Sequence, residues 1–294
     1  MKNFLRRLKG GARPQPAAGR PDAGSPPRQR GPRETPLAVL PGERRVWAVA
    51  AVHGRGGRLA TLHQRLRAAM APSDMVVYLG GYYGPGGRIR ETLDELLVFR
   101  RQLLARPDGR EDDAVFLRGC QEEMLTKLLQ IHYAPEPEAV LQWVLDHGLG
   151  PTLEAYGTSG DEALAAARDG AAALSRWTTS LRQAINQSDG HRPLLASLRH
   201  AAYPEKGGVV FVHAGVDPDR PLDHQGDTFW WGGLDFHDRE EDLAALGRVV
   251  RGHDRRGGGR HYGAHAVTLD AGEDGPLTAA CFKPDGTLVE VLEA

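Results

Sequence analysis

The sequence predicts an α/β fold: two mixed sheets flanked by helices, a four-layer sandwich with a helical insertion. Three observations carry this. In the first half, a short apolar run, a glycine-bearing loop and a helical-period segment recur three times, as parallel strands joined by crossover helices do. Residues 134–200 are helical in pattern throughout. From residue 209 onward apolar runs return, and the last three alternate as strands of an antiparallel or mixed sheet do.

Each element follows in order. Val46–Ala51 is the first buried strand, ending at Val52-His53-Gly54. Leu59, Leu62, Leu66 and Met70 then recur at helical spacing. Met75–Leu79 is the second strand, followed by the turn-rich loop Gly80–Gly87. Ile89, Leu93, Leu96, Leu97 and Leu103 mark the next helix. Ala114–Leu117 is a third strand, and Met124, Leu125, Leu128 and Leu129 open another helix. In the insertion, Ala-rich from Glu162 to Leu174, Trp143, Leu149, Leu153 and Trp177 are the expected packing anchors. Val209–Val212 and Arg248–Val250 return to strand. Ala264–Leu269, Leu277–Phe282 and Leu288–Leu292, with a turn at Pro284-Asp285-Gly286, are read as a second sheet. The charged run Asp238–Asp242 reads as an exposed helix start.

The chain has 294 residues, enough for one large α/β domain or two small ones, and 40% of them are hydrophobic. A net charge of -1 gives no global signal for nucleic acid or membrane. Two cysteines, Cys120 and Cys281, cannot build a disulfide framework, which points to a reducing compartment. No apolar run approaches the roughly 18 residues that span a bilayer, and no signal-peptide core follows the basic start. A soluble, cytoplasmic protein is expected.

Charge is uneven along the chain. Residues 1–35 hold nine Lys/Arg against two Asp/Glu, so the remainder is acidic. Residues 1–44 are read as a disordered basic tail rich in Pro, Gly and Arg, because such a segment buries too little to offset its ordering entropy. Phe4, Leu5 and Leu8 among Lys2, Arg6, Arg7 and Lys9 could touch an anionic membrane, but the patch is too short to anchor alone. Residues 45–294 are read as the folded domain.

Five loops follow predicted strands in order. They are Ala51-Val52-His53-Gly54, Leu79-Gly80-Gly81-Tyr82-Tyr83-Gly84-Pro85-Gly86, Leu117-Arg118-Gly119-Cys120-Gln121-Glu122, Val212-His213-Ala214-Gly215 and Arg251-Gly252-His253. Loops at the carboxyl ends of such strands are where ligands bind. Their order and spacing resemble the phosphoprotein phosphatase signature GDxHG, GDYxDRG, GNHE, HAG and GH. Trp143-Val144-Leu145-Asp146-His147-Gly148, Thr152–Gly157, His213–Leu222 and Trp231 resemble the bacterial branch of serine/threonine protein phosphatases. The resemblance covers residues 45–292 and implies a calcineurin-like metallophosphoesterase.

The resemblance implies a two-metal centre that activates a bridging water, a histidine–aspartate pair that protonates the leaving oxygen, and arginines that clamp phosphate. Carried over residue by residue, most of this is missing. The first aspartate ligand falls at Ala51 and the bridging aspartate at Gly81. The aspartate that orients the acid falls at Gly84, and a phosphate-binding arginine at Pro85. The asparagine ligand falls at Cys120, and the general-acid histidine at Gln121. A second arginine falls at Gly232 or Gly233. His53, His213 and His253 keep the family's histidines; Glu122 and Arg118 also remain. The amide of Gln121 cannot supply a proton near neutral pH.

Two readings of His53, His213 and His253 stay open. They are relics hydrogen-bonded to backbone, with no cofactor; or, with Cys120, they hold one Zn²⁺, His53 or water being the fourth ligand. Cys120 as a nucleophile would need a base within reach. Gly80–Gly87, five glycines in eight residues, is either a phosphate-cradling nest or, the favoured reading, a loop that loosened with the loss of its metal. Arg251, Arg255, Arg256 and Arg260 could gather an anion near His253 or lie in a solvated loop. Asp270-Ala271-Gly272 is read as the family's structural turn. The expected function is that of a pseudophosphatase that binds a protein or phosphoprotein partner and no nucleic acid. The alternative is an active phosphoesterase with a remodelled single-metal site.

Overall fold

The computed structural model describes residues 36–233 and 235–294. The tail and its membrane contact fall mostly outside these residues. One sheet runs β11-β10-β2-β3-β4, from strands β2 (Val46–Val49), β3 (Met75–Tyr78), β4 (Ala114–Phe116), β10 (Thr278–Phe282) and β11 (Leu288–Glu293). The other runs β1-β5-β6-β7-β9-β8, from β1 (Leu37–Leu40), β5 (Ala201–Pro204), β6 (Val209–Val212), β7 (Arg248–Arg251), β8 (His261–Tyr262) and β9 (Ala266–Thr268). We call them the first and second sheets.

The central strands β2, β3 and β6 are buried at every residue, which is why they read as unbroken apolar runs rather than alternating ones. β2 and β3 pair in parallel with Val46 opposite Met75, and β3 continues in parallel to β4. The parallel crossovers require helices. α1 (Gly56–Ala69) buries Leu59, Leu62 and Leu66, and α2 (Ile89–Leu104) buries Leu93, Leu96, Phe99 and Leu103. The two helices lock together through the His63 ring stacked on Phe99 at 4.0 Å. Asp74 pins the amino end of the first sheet, accepting hydrogen bonds from Arg45, Trp47 Nε1 and the Ala71 amide. The outer face of the second sheet is covered by Phe229, Trp230, Phe236 and Leu243, packed on Val210, Val212 and Val249. Across the sandwich Phe211 meets Phe282 with ring centroids 5.8 Å apart.

After α3 (Cys120–Leu128), the chain between β4 and β5 is helical. It runs through α4 (Pro137–Val144), a π-helical turn at Leu145–Leu149, α5 (Gly150–Ala155), α6 (Gly160–Arg168), α7 (Ala171–Asn186) and α8 (His191–Ala196). Ser159 caps α6 by accepting the Glu162 amide, while Glu162 accepts the Ser159 amide, a reciprocal capping box.

Three local expectations need correction. Order does not begin near Arg45: Leu37–Leu40 is a strand paired in parallel with Ala201–Pro204. That short strand is held by a partner more than 160 positions away, so nothing local marks it as ordered. The last three apolar runs do not form one sheet. β9 pairs with β7 in the second sheet, whereas β10 pairs antiparallel with β2 and carries β11 with it to the edge of the first. Periodicity identifies a strand but not its neighbour. Finally, Asp238–Asp242 starts no α-helix. It is a run of turns leading into a 3-10 segment at Asp242–Leu246, with Glu240 accepting the His265 and Ala266 amides. Among the described residues no helix is long and apolar enough to cross a membrane.

Candidate functional site

The five loops converge where the carboxyl ends of the two sheets meet. The Ala51 amide donates to the Gly252 carbonyl at 2.9 Å, joining the loop after β2 to the loop after β7. A Cβ on Gly252 would lie 2.4 Å from Leu79 Cβ, so only glycine permits this approach.

On the first-sheet side, the loops are packed shut. Gly81 has φ +66°, and a Cβ there would fall 2.9 Å from Ala51 Cβ. At the two positions that would carry carboxylates, there is therefore no room for a side chain on Gly81 without displacing Ala51. Gly119 is equally crowded: a Cβ would lie 2.6 Å from both the Gly81 amide nitrogen and His213 Cε1. His53 takes φ +55°, a left-handed conformation disfavoured for a side-chain-bearing residue. Backbone bonds hold it there: its amide donates to Gly81 O at 2.6 Å, and its carbonyl accepts from Gly86 N at 2.9 Å.

Glu122 organises this side. It is wholly buried and accepts four amides: Gly81 at 2.9 Å, Tyr82 at 2.7 Å, Tyr83 at 3.3 Å and Gly119 at 2.7 Å. Burial pushes its carboxyl up, and the four N–H groups oppose that shift. The loop Gly80–Gly87 is therefore not a loosened relic in its first half, where Gly80–Gly84 are buried. Nor is it a phosphate nest, because the amides of residues 81–83 already cradle a carboxylate of the chain itself. Pro85 is exposed at the rim. Gln121 donates from Nε2 to the His147 carbonyl at 2.8 Å, tying α3 to the π-helical turn of the insertion. Gly233 sits by Asp235, whose Oδ1 is 2.5 Å from where a Cβ would be.

On the second-sheet side, side chains capable of chemistry survive and are oriented. His213 is fully buried, and its Nδ1 donates to the Leu79 carbonyl at 2.7 Å. A carbonyl only accepts, so the proton is on Nδ1 and Nε2 presents its lone pair. That Nε2 is buried with no hydrogen-bond partner. Burial, reinforced by His253 and His53, holds the His213 imidazole well below the usual histidine range, hence neutral. His253 donates from Nδ1 to Asp270 Oδ2 at 3.0 Å, which likewise turns its Nε2 away from the carboxylate. Asp270 also accepts the Asp254 and Gly272 amides. Burial pushes its carboxyl up, but the bonds and charges of His253 and His53 outweigh burial and hold it well below the usual carboxylate range.

The candidate ligand atoms fall into two groups, each within 4.8 Å: Cys120, His213 and His253; and His53, His253 and Asp270. His53 therefore does not join Cys120 and His213 as a fourth ligand; its Nε2 faces Asp270 Oδ2 at 3.9 Å. The Cys120 thiol is pushed up to about 12 by burial and by the nearby Glu122, which makes it a poor nucleophile. The four arginines do not gather. Arg251 is buried against Phe236, bonded to Thr268, His237 and Asp254, and Arg260 pairs with Glu293. Arg255 lies over the Trp231 ring at 5.7 Å, and Trp231 in turn meets Trp143 of the insertion at 5.5 Å.

A two-metal centre does not fit these residues. Two adjacent dications need anionic ligands shared or flanking, and Ala51 and Gly81 offer no side-chain donor. Sequence reasoning missed two residues. Asp270 reads as a turn former, yet it stands at the carboxyl end of β9, in the same position as the other loops, which is the signal that could have found it. Glu122 has no role in the motif pattern, yet its place three residues after the Gly119 cap marks a carboxylate that reaches back to the helix start.

No protein-family model and no curated protein matches the chain. Solved structures do. A candidate diadenosine tetraphosphatase shares 19% identity, with 88% of this chain and 97% of that one covered and a TM-score of 0.53. A Saccharomyces cerevisiae serine/threonine phosphatase with similarity to human PP5 has 13% identity, covering 89% and 85%, at a TM-score of 0.47. A cold-active protein-tyrosine phosphatase of a psychrophilic Shewanella has 14% identity, covering 92% and 88%, also at 0.47. At these identities the likeness speaks for architecture alone, and the architecture is that of the calcineurin-like metallophosphoesterase sandwich, two mixed sheets flanked by helices.

Proposed function

We propose that this chain is a pseudophosphatase: a metallophosphoesterase-fold protein that binds a protein or phosphoprotein partner without hydrolysing it. The carrying observation is that Ala51 and Gly81, side by side at the positions where the resemblance places two metal-binding carboxylates, bring no side-chain donor, and a Cβ on Gly81 would fall 2.9 Å from Ala51 Cβ. Two further features support it. Gln121 is committed to the His147 carbonyl and has no titratable proton. No planar guanidinium stands at Pro85 or Gly233 to grip phosphate. A phosphate group on a partner would instead meet Arg255 on its Trp231 platform.

One observation favours the second reading, a single-metal phosphoesterase: Cys120, His213 and His253 converge within 4.8 Å. The missing acid weighs against it. The test is phosphomonoester hydrolysis by the purified chain with added Mn²⁺ or Zn²⁺. The expected rate is background, unchanged in His253→Ala. Turnover that His253→Ala removes would establish the single-metal enzyme instead.

A further inference from the structure

Two buried imidazoles outside the pocket have both ring nitrogens satisfied within the fold. His63 is satisfied by Glu95 and the Tyr78 hydroxyl, and His191 by Tyr156 and Asp94. His213 Nε2 has no such partner. It is an imidazole lone pair, buried, unpartnered and facing other donor atoms. Leaving such an atom dry and unbonded carries the full penalty of its desolvation. A bound cation removes that penalty.

We propose that one zinc ion binds at Cys120 Sγ, His213 Nε2 and His253 Nε2 and cross-links the two sheets. It concerns the pocket of the proposed function but does not depend on whether that pocket hydrolyses anything. Three independent features converge on it. The donor set is one sulfur and two nitrogens, which suits Zn²⁺ and not the oxygen-seeking Mg²⁺ or Mn²⁺. Both imidazoles are already turned by a partner on Nδ1, His253 by the Asp270 carboxylate and His213 by the Leu79 carbonyl. These are the outer contacts that metal-bound histidines characteristically make. Lastly, the ligands come from opposite sheets: Cys120 opens α3 after β4, while His213 and His253 follow β6 and β7. The ion would thus hold together loops that otherwise meet through backbone contacts.

Binding would release the Cys120 proton to solvent, since the thiolate is the ligand. The group supplies three protein ligands, so a fourth position is left for water or an anion. The test is elemental analysis of the purified, tag-free chain together with its cobalt-substituted form. The expected result is about one zinc per chain, lost in both Cys120→Ala and His213→Ala, and a thiolate-to-cobalt charge-transfer absorption in the native sequence. Asp270→Asn should retain the fold and weaken zinc by roughly 10–100-fold, because it disturbs orientation and not a ligand. Should the alanine variants fail to fold, the cobalt spectrum of the native chain decides alone. Absence of bound metal, copper or iron in place of zinc, or zinc retained in a folded Cys120→Ala variant would overturn the assignment. None of these results bears on hydrolysis, which the activity assay reads separately.

Discussion

The two halves of the pocket are built differently. On the first-sheet side, the loops after β2, β3 and β4 carry Ala51, Gly81 and Gly119, and backbone is packed on backbone around the Glu122 carboxylate. On the second-sheet side, the loops after β6, β7 and β9 carry His213, His253 and Asp270, side chains held in defined orientations with an unpaired lone pair among them. The first half is buried core. The second still presents ligands. The first half is filled by small residues and backbone amides bound to one carboxylate, while the second holds oriented imidazoles and a carboxylate.

Substitutions can break this contrast. The largest effect is expected from Glu122→Ala, which strands four amides in a closed pocket. It should lower unfolding free energy by about 4 kcal/mol in denaturant titrations; a loss below about 1 kcal/mol would show that Glu122 does not organise the loops. Gly119→Ala comes next, because its methyl would meet the Gly81 backbone and the His213 ring, neither of which can move freely. About 2–3 kcal/mol is expected. Gly150→Ala is the matched control: its backbone is helical and no atom lies within 4 Å of the new Cβ. It should be neutral or stabilising by about 0.5–1 kcal/mol.

On the second-sheet side, Asp270→Asn should disturb metal affinity far more than stability, the reverse of Glu122→Ala. Competition with a zinc chelator reads the first and thermal denaturation the second.

The smallest effect concerns a buried imidazole behind the first sheet. Burial lowers the His63 pKa against the opposing pull of Glu95, so the folded state holds it neutral while the unfolded chain titrates near the ordinary value of about 6.5. Below that pH the unfolded state binds the extra proton, so stability falls as pH drops through about 6.5 and is fully present above it. The slope should reach at most about 1.4 kcal/mol per pH unit. It should shrink in His63→Gln; an identical slope in that variant would place the titration elsewhere.

Much of this was legible in the sequence because fully buried strands leave unbroken apolar runs and each strand is followed by its loop. Val46–Val49, Met75–Tyr78 and Val209–Val212 are such runs, and the loops after them carry Ala51, Gly81 and His213. What was not legible depends on partners distant in sequence. Leu37–Leu40 is ordered only because Ala201–Pro204 lies beside it. The assignment of β10 and β11 to the first sheet is set by pairing with Val46–Val49, which alternation cannot reveal. In the site, residue types at motif positions gave Cys120, His213 and His253, but not the role of Asp270, whose acceptor bonds come from His253 and the Asp254 amide. Nor could a row of glycines disclose that its amides are spent on Glu122. Composition alone makes Gly80–Gly87 look slack; its carboxylate partner lies some 40 positions on.

The most direct test of the contrast is metal stoichiometry. The chain would be saturated with Zn²⁺ and, separately, with Mn²⁺, desalted, and analysed for moles of each metal per chain. A closed first-sheet side and an open second-sheet side predict one zinc and no retained manganese. Two metal ions per chain, of either kind, would mean that the first-sheet loops still hold one, and would contradict the account.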